Sequence, residues 1–390
     1  METYTEAQEL TRRTVRDFAE KEVKPGATER DRSGEFDYAL FRRLGDLGIT
    51  GIMHPEEYGG SNAGFLAWQL AIEELAKADA ALALTAFVGN AVLLPSKFPD
   101  DMRDEWMEKY VYPTVKAEVV MSGAITEPDA GSDTRAIKTT AVLDGDEWVI
   151  NGTKAFCTNA GLDICPYTGV LCKINDDPLQ FEMIIVPKGT PGFTIAPKYR
   201  KMGVRSAYTS ELYFDDCRVP KWQMLGYEGD EGGARSMIAQ KGFAEARIST
   251  TTVGIGIHAA CFDECMKYVQ QRKTFGRPIG HYQYVQGMLV DMYTDLECSR
   301  LLRDKAARLL EEGGAPLLEA CTFKYFGAEA ARRATDMAVQ IFGGLGYIDD
   351  TPVSRYYRDV RWVPIGDGTN EIQKLVIARI LLAQERIAAG

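Results

Sequence analysis

Hydrophobic residues in the first part of the chain recur every three or four positions, as they do on one face of an α-helix. Two such runs contain, in order, Leu40, Phe41, Leu44 and Leu47, and then Leu70, Ile72, Leu75 and Ala76. A third run covers residues 102–116 and includes Trp106 and Tyr110. Proline and glycine residues punctuate the connections. The pattern therefore predicts an N-terminal helical domain over residues 1–118.

Beyond this point the apolar residues come in short stretches separated by turn residues. Two of them, 139–142 and 147–150, flank Asp144-Gly145, a pair that tolerates positive φ and favours a hairpin turn. Further strands are predicted at residues 181–186, 193–196 and 211–214, with Pro187-Lys188-Gly189 and Asp215-Asp216 as separators. Six or seven short strands without intervening helices favour an antiparallel β-barrel or sandwich over residues 119–228.

Residues 229–390 are again helical, and their helices are long. One apolar stripe consists of Val285, Met288, Leu289, Met292 and Leu296, and a second, rich in small residues, consists of Ala320, Phe323, Gly327, Ala330 and Ala334. Gly327 costs a helix roughly 1 kcal/mol relative to Ala, so its position predicts close helix packing. Long helices with short links predict a C-terminal four-helix bundle. The resulting fold class is α+β multidomain, and its α, β, α order excludes a doubly wound nucleotide-binding fold.

Composition and charge narrow the classes of function. The 390 residues are 45% hydrophobic and 26% charged, as in a soluble globular protein of two or three domains. The net charge of −11 argues against binding nucleic acid or an anionic membrane through phosphate neutralisation. Residues 1–20 mix acidic and basic side chains, so they predict neither a signal peptide nor a membrane span.

Cysteine, histidine and glycine patterns give no sign of a metal or dinucleotide site. The eight cysteines include no C-x-x-C pair, which favours free thiols in a reducing cytoplasm. Only three histidines are present, without an H-E-x-x-H motif, so no metal site is expected. Residues 254–259 match G-x-G-x-x-A, but they lie inside a long predicted helix with no strand before it. Close helix packing therefore explains this motif better than dinucleotide binding does.

Five polar or glycine-containing segments carry the candidate chemistry. They are Thr126-Glu127-Pro128-Asp129-Ala130-Gly131-Ser132-Asp133, Phe156-Cys157-Thr158-Asn159, Arg272-Lys273-Thr274-Phe275-Gly276, Gln340-Ile341-Phe342-Gly343-Gly344-Leu345-Gly346-Tyr347 and Asp367-Gly368-Thr369-Asn370-Glu371-Ile372-Gln373. They offer hydroxyls, free backbone N–H groups, an aromatic face and cations at a helix end. Taken singly, the first segment would be an ordinary turn and Asp367 an ordinary helix N-cap.

In order and spacing, the five segments resemble the signature segments of the acyl-CoA dehydrogenase family. The resemblance covers essentially the whole chain, including Pro55-Glu56-Glu57-Tyr58-Gly59-Gly60 and the Asp144-Gly145 hairpin. It implies that FAD binds in an extended form at the junction of the three domains, in a homotetramer. It also implies an acyl-CoA substrate and an electron-transfer flavoprotein as electron acceptor.

The resemblance assigns cofactor and substrate contacts residue by residue. The flavin ring would be lined by Ile125, Thr126, Phe156 and Thr158. The FAD pyrophosphate and adenosine would be held by Arg272, Thr274, Phe275 and Gln283, by Gln340, Gly343 and Gly344 reached from a neighbouring subunit, and by Thr369 and Glu371. Ser132 would lie near the coenzyme A moiety, and Gly366 and Gly368 would also contact the substrate. Because two subunits would share one cofactor, a folded monomer is expected to bind FAD poorly.

The catalytic base is also implied by the resemblance. Most members use the Glu of a Glu-Gly-Thr triplet, which here is Asp367-Gly368-Thr369. Isovaleryl-type members place the base at a position matching Ala246, which cannot accept a proton. Asp367 would therefore remove the α-proton while the β-hydride passes to the flavin, and its backbone N–H and a ribityl hydroxyl would bind the thioester carbonyl. Burial is expected to raise the carboxylate pKa above about 3.9.

Departures from the family pattern bear on the substrate. Asp is one methylene shorter than Glu, and Gly366 stands where several members carry Tyr. Both changes are expected to widen the cavity, which favours an α-branched or cyclic acyl group such as cyclohexanecarboxyl. Ala83 replaces the Arg of glutaryl-type members, which argues against dicarboxylic acyl groups. The alternatives are a short-chain acyl-CoA dehydrogenase, an enoyl-CoA reductase or acyl-CoA oxidase on the same scaffold, and a catalytically silent flavin- and CoA-binding protein.

Overall fold

The N-terminal part of the chain is helical in the computed structural model, which describes residues 4–90, 99, 101–225 and 233–389. Its helices are α1 Glu6–Phe18, α2 Ala27–Ser33, α3 Tyr38–Asp46, α4 Phe65–Ala78, α5 Ala80–Gly89, α6 Arg103–Trp106 and α7 Tyr112–Val115. At the start of α1, the Gln8 N–H donates to Thr5 Oγ1 (3.2 Å) and the Thr5 N–H donates to Gln8 Oε1 (3.0 Å), a reciprocal cap. A π-helical turn, Met107–Val111, joins α6 to α7, which confirms the helical run predicted at residues 102–116.

The middle of the chain forms one seven-stranded sheet. Its strands are β1 Ser122–Ala124, β2 Thr140–Asp144, β3 Glu147–Thr158, β4 Tyr167–Ile174, β5 Phe181–Pro187, β6 Phe193–Ile195 and β7 Thr209–Pro220. The path runs β1-β4-β2-β3-β7-β6, and β5 pairs with β4. β4 pairs in parallel with β1 and with β2, whereas the other pairings are antiparallel. The sheet is therefore mixed, with two parallel pairings that the alternating pattern did not predict.

Two details of the predicted strands are wrong: the residues of the hairpin turn and the role of Asp215-Asp216. Asp144 pairs with Glu147, so the hairpin turn consists of Gly145 and Asp146 rather than Asp144-Gly145. Asp215-Asp216 does not end a strand but lies inside β7. Between the Ile150–Cys217 and Gly152–Phe214 pairs, two residues of β7 oppose one residue of β3, which is a β-bulge. Asp216 adopts a φ of 46° in this bulge.

The C-terminal part contains long helices, as the apolar stripes predicted. Its elements are α8 Gly233–Gln271, β8 Lys273–Thr274, β9 Arg277–Pro278, α9 Gln283–Glu311, α10 Leu317–Phe342, α11 Val353–Val360 and α12 Asn370–Ala389. α8, α9, α10 and α12 are the four long helices, so the predicted order of helical domain, sheet and helical bundle is confirmed. The domain boundary expected between residues 228 and 229 lies outside the described residues.

The N-terminal and C-terminal helices share one hydrophobic core, whereas the sheet has a core of its own. α4 is buried along nearly its whole length and packs against α8 and α9. A Cβ added to Gly256 would lie 2.6 Å from the Cβ of Ala76 on α4. A Cβ added to Gly327 would lie 2.6 Å from Thr251 Cγ2, where α10 crosses α8. The predicted packing role of both glycines is confirmed.

The described residues contain no membrane-spanning helix, metal cluster or disulfide. Within them, no helix is both long and apolar enough to cross a membrane. No group of three or more His, Cys, Asp or Glu side chains in that part of the chain could hold a metal ion. All eight cysteines are free thiols, and Cys298 alone among them is exposed.

Candidate active site

Asp367 lies in the tight turn that leads into α12. Asp367 and Gly368 have φ of 52° and 86°, so the chain reverses through two left-handed residues before the helix begins. The Gln373 Nε2 donates to the carbonyl of Gly368 (2.8 Å) and fixes this turn. The N–H of Ile372 is capped by Thr369 Oγ1 (3.3 Å). Thr369, and not Asp367, is therefore the cap of α12, which leaves the Asp367 carboxylate for another role.

The Asp367 carboxylate points across to α8. The Thr250 hydroxyl on α8 donates a hydrogen bond to Asp367 Oδ2. One side of Asp367 is exposed, but protein surrounds the carboxylate closely enough that loss of hydration raises its pKa. The hydrogen bond from Thr250 and the positive charges of Lys324 and Arg247 partly offset this rise. A carboxylate with a raised pKa is a suitable general base.

Two cations near Asp367 were not identified from the sequence. Lys324 on α10 is fully buried, its ammonium donates to the carbonyl of Val363, and burial lowers its pKa to about 8. The guanidinium of Arg247 lies over the ring of Phe243, 5.7 Å from its centroid. Among the described residues, the Nε and Nη1 of Arg247 have no hydrogen-bond partner. Both side chains belong to helical stretches, where nothing in the apolar pattern sets them apart.

A first group of expected site residues meets at the end of β3. The Ala155 N–H donates to the carbonyl of Thr126 (2.8 Å), and the Lys154 ammonium donates to the carbonyl of Ile125 (3.0 Å). These bonds place the 125–126 loop beside Phe156 and Thr158 at the same strand end. Phe156 has a φ of 58°, and its ring is 66% exposed. The structure therefore brings together Ile125, Thr126, Phe156 and Thr158.

The loop that follows this group is anchored by a buried ion pair that the sequence did not reveal. The carboxylate of Glu127 accepts from the Lys154 ammonium (2.9 Å) and from the N–H groups of Lys138 (2.7 Å) and Thr139 (2.9 Å). Burial alone would raise the pKa of Glu127, but these hydrogen bonds outweigh it and hold the pKa below its ordinary value. Ser132 stands exposed on the anchored loop.

A second group lies at the far ends of α8 and α10. The Tyr282 hydroxyl donates to the carbonyl of Thr274 (2.8 Å), and the rings of Tyr268 and Phe342 stack at 4.1 Å. These contacts group Arg272, Thr274, Phe275 and Gln283 with Gln340, Gly343 and Gly344 in one chain, whereas the resemblance implied that the last three are reached from a neighbouring subunit. A Cβ added to Gly343 or Gly344 would meet nothing within 4 Å, so their backbone is open.

The third group surrounds the turn before α12 and contains Gly366, Asp367, Gly368, Thr369 and Glu371. Between described residues, no hydrogen bond, ion pair or ring contact joins this group to the β3 end or to the far ends of α8 and α10.

A Cβ added to Gly366 would lie 3.1 Å from Cε3 of Trp362. The indole of Trp362 therefore fills the space that a side chain at position 366 would enter, which sequence reasoning missed.

Comparison with known proteins places this geometry in a family. Models of the N-terminal, middle and C-terminal domains of acyl-CoA dehydrogenases match residues 5–114, 122–217 and 233–382. The chain belongs to the acyl-CoA dehydrogenase family. It is a FAD-dependent oxidoreductase acting on CH–CH groups, as the resemblance implied.

Three proteins similar to this acyl-CoA dehydrogenase have different named activities. The mitochondrial short-chain specific acyl-CoA dehydrogenase of Mus musculus is 36% identical over 98% of this chain and 91% of that protein. The acryloyl-CoA reductase (NADH) of Anaerotignum propionicum is 39% identical over 96% of this chain and 94% of that protein. The structure of butyryl-CoA dehydrogenase from Megasphaera elsdenii superimposes with a TM-score of 0.88 and is 35% identical in sequence. The match covers 98% of this chain and 100% of that chain.

The residues of the acyl-CoA dehydrogenase fit its cofactor. Phe156 offers an exposed aromatic face, and the open backbone at Gly343 and Gly344 leaves room for close approach. Arg272 is exposed and, among the described residues, has no ion-pair partner, so it is free to meet a diphosphate. An aromatic face can stack on a ring of FAD, and a cation and open backbone can bind its diphosphate.

Proposed function

We propose that this acyl-CoA dehydrogenase oxidises short, straight-chain acyl-CoA thioesters at the α and β carbons, with Asp367 as the base. The observation that carries the proposal is the Asp367 carboxylate, held between α8 and α12 with a raised pKa. Bound FAD supplies the hydride acceptor for the β-carbon. Ile125, Thr126, Phe156 and Thr158 are proposed to hold the flavin ring.

Proton removal is the step that the chain itself performs. The α-proton of the thioester passes to the Asp367 carboxylate, which becomes a neutral carboxylic acid. Among the described residues, no acceptor is bonded to the Asp367 backbone N–H, so this donor is available to the thioester oxygen as negative charge develops there. The carboxylate and this N–H belong to one residue, so the turn at Asp367 and Gly368 fixes both relative to the substrate.

The substrate is proposed to be short and unbranched because Trp362 occupies the space beside Gly366. The α-branched or cyclic acyl group favoured by the sequence depended on that space being empty. The names of two relatives, a short-chain specific acyl-CoA dehydrogenase and a butyryl-CoA dehydrogenase, also support the short-chain alternative better.

A panel of thioesters tests the substrate and the base together. Butyryl-, isobutyryl-, cyclohexanecarboxyl- and octanoyl-CoA are added anaerobically to the purified flavoprotein, and bleaching of the flavin absorbance is followed. We expect fastest bleaching with butyryl-CoA, and faster bleaching with cyclohexanecarboxyl-CoA would overturn the substrate proposal. Asp367→Asn should retain FAD and bind butyryl-CoA but lose at least about 10³-fold in bleaching rate. An active Asn variant would move the base elsewhere.

A second candidate is the reverse reaction, reduction of a short enoyl-CoA. It is favoured by one observation, the 39% identity with a protein named acryloyl-CoA reductase (NADH). The two directions are separated by assaying butyryl-CoA with an electron-transfer flavoprotein as acceptor and crotonyl-CoA with NADH as donor. We propose the oxidative direction, with an electron-transfer flavoprotein as partner and a homotetramer as the active assembly.

A further inference from the structure

Three consecutive threonines on α8 use their hydroxyls in different ways. The hydroxyls of Thr251 and Thr252 donate to the backbone carbonyls of Arg247 (2.7 Å) and Ile248 (2.9 Å) four residues earlier. This is the ordinary use of a threonine inside a helix. The hydroxyl of Thr250 instead leaves its own helix and donates to Asp367, 117 residues away in the chain. All three threonines are completely buried, so burial does not explain the difference.

No other described group fixes the direction of the Asp367 carboxylate by a hydrogen bond. The Lys324 ammonium is engaged by the carbonyl of Val363, and Arg247 influences Asp367 through charge alone. Gln373 binds backbone carbonyls of the turn and leaves the side chain free to rotate. The orientation of the carboxylate therefore depends on Thr250.

We propose that Thr250 is a positioning residue, which binds Oδ2 of Asp367 and leaves Oδ1 as the oxygen that accepts the substrate's α-proton. The proposal rests on Asp367 being the base. When the proton reaches Oδ1, the C–H bond breaks, its electron pair enters the thioester enolate, and Oδ2 keeps its hydrogen bond from Thr250. A carboxylate held by one oxygen loses less rotational freedom on reaction than a free one does.

The same hydrogen bond affects the protonation of Asp367. A donor that binds the ionised carboxylate stabilises the charged form and lowers the pKa. Removing the Thr250 hydroxyl should therefore raise the pKa of Asp367, so that the acidic limb of activity moves to higher pH. A hydrogen bond to a charged group corresponds to a change of about one pH unit or more.

The test compares Thr250→Val with Thr252→Val, because both changes replace a buried hydroxyl of α8 by a methyl group. The rate of anaerobic flavin bleaching by butyryl-CoA is measured from pH 5 to 9 in the FAD-loaded proteins. We expect Thr250→Val to shift the acidic limb upward by about one pH unit and to lower the high-pH plateau about 10-fold or more, with KM nearly unchanged. Thr252→Val should have the same acidic limb of the pH–rate profile as the unaltered protein. Thr250→Ser should return the limb to that position.

The outcomes separate this inference from the proposed function. If Asp367→Asn is inactive but Thr250→Val has an unshifted limb, the base assignment stands and the role of Thr250 is wrong. If Thr252→Val shifts the limb as much as Thr250→Val does, loss of any buried hydroxyl on α8 is the cause, and the inference is again overturned. An active Asp367→Asn variant overturns the proposed function itself. Should Thr250→Val fail to fold, Thr250→Ala and Thr250→Ser are compared in the same assay.

Discussion

Several non-glycine residues in the candidate site segments adopt left-handed backbone conformations. Phe156, Asn159, Phe275 and Asp367 have φ of 58°, 72°, 48° and 52°. Each such conformation costs on the order of 1 kcal/mol and persists only where the surroundings hold it. At Asp367 the surroundings are the amide of Gln373 and the hydroxyl of Thr250. At Asp367 the strain therefore lies at a residue whose side-chain direction matters for the proposed proton transfer.

Trp362 is expected to set the size of the acyl group beside the base. Trp362→Ala should open the space next to Gly366 and raise kcat/KM for isobutyryl-CoA relative to butyryl-CoA by about 10-fold or more. The ratio is measured by anaerobic flavin reduction with both thioesters. Trp148→Phe, a change in the separate core of the sheet, is the control and should leave the ratio unaltered. Equal ratios in the two variants would contradict this role of Trp362.

Asp367 could be proposed from the sequence, whereas the groups that tune it could not. Asp367, Phe156 and Arg272 can be proposed because the segments that contain them resemble, in order and spacing, the signature segments of the acyl-CoA dehydrogenase family. Lys324 comes directly after Phe323, which belongs to an apolar helical stripe. Thr250 is one of three adjacent threonines in another helix. Their roles follow from contacts over long stretches of chain, and local pattern carries no information about such contacts.

At the scale of helices, a buried charge cluster ties α4 to α9. The Glu73 carboxylate accepts from Arg300 Nη2 (2.6 Å) and from Arg303 Nη1. Burial alone would raise the pKa of Glu73, but the two arginines outweigh it and lower the pKa to about 2. The difference from 4.5 corresponds to roughly 3 kcal/mol of stability at neutral pH.

The sign of this pH dependence is testable. A depressed carboxylate pKa contributes stability that is present above pH 4.5 and is lost as the pH falls toward 2. Glu73→Gln should lower the free energy of unfolding by about 3–5 kcal/mol at pH 7, because it removes the buried carboxylate that Arg300 and Arg303 share. The difference in unfolding free energy between Glu73→Gln and the unaltered protein should shrink between pH 4.5 and 2. Urea unfolding at a series of pH values measures this difference. A constant difference across this range would show that Glu73 does not titrate with folding.

Gly256 of the G-x-G-x-x-A motif and Gly287 on α9 should respond in opposite ways to substitution by alanine. A Cβ at Gly256 would lie 2.6 Å from the backbone oxygen of Glu73, whereas a Cβ at Gly287 would meet nothing within 4 Å. Gly256→Ala should therefore destabilise the fold by about 1–3 kcal/mol through overpacking. Gly287→Ala should stabilise it by about 0.5–1 kcal/mol, because alanine favours the helix. Thermal unfolding of the FAD-loaded proteins checks the two opposite signs.

Element types could be predicted from periodicity, but strand details could not. The long helices after residue 232 follow directly from their apolar stripes. The Asp215-Asp216 pair looks like a strand end, yet it forms a bulge in which the Asp216 N–H donates to Asn151 Oδ1 (2.8 Å). Asparagine and aspartate serve equally in turns and bulges, so the choice depends on the partner strand. The parallel pairings of β4 have the same origin, since they join segments that are distant in the chain.

At the scale of the whole molecule, the residues that the resemblance assigns to FAD lie in separate groups of the described chain. The far ends of α8 and α10 and the turn before α12 carry residues assigned to one dinucleotide, but no described contact joins them. Phe275 and Tyr284 are 92% and 93% exposed beside the first of these surfaces. Aromatic rings so exposed favour burial against another copy of the chain. Assembly and FAD binding should therefore be coupled.

Tyr284→Glu tests this coupling without changing a residue assigned to FAD. Placing a charge at this exposed ring should shift the proposed assembly of four copies toward smaller species and lower the FAD content in parallel. Mass is measured by light scattering, and FAD by absorbance at matched protein concentration. Leu179→Glu, an equally exposed apolar position after β4, is the control and should keep both values. Dissociated Tyr284→Glu protein with one FAD per chain would mean that each subunit binds its cofactor alone, because a shared site cannot remain filled after its halves separate.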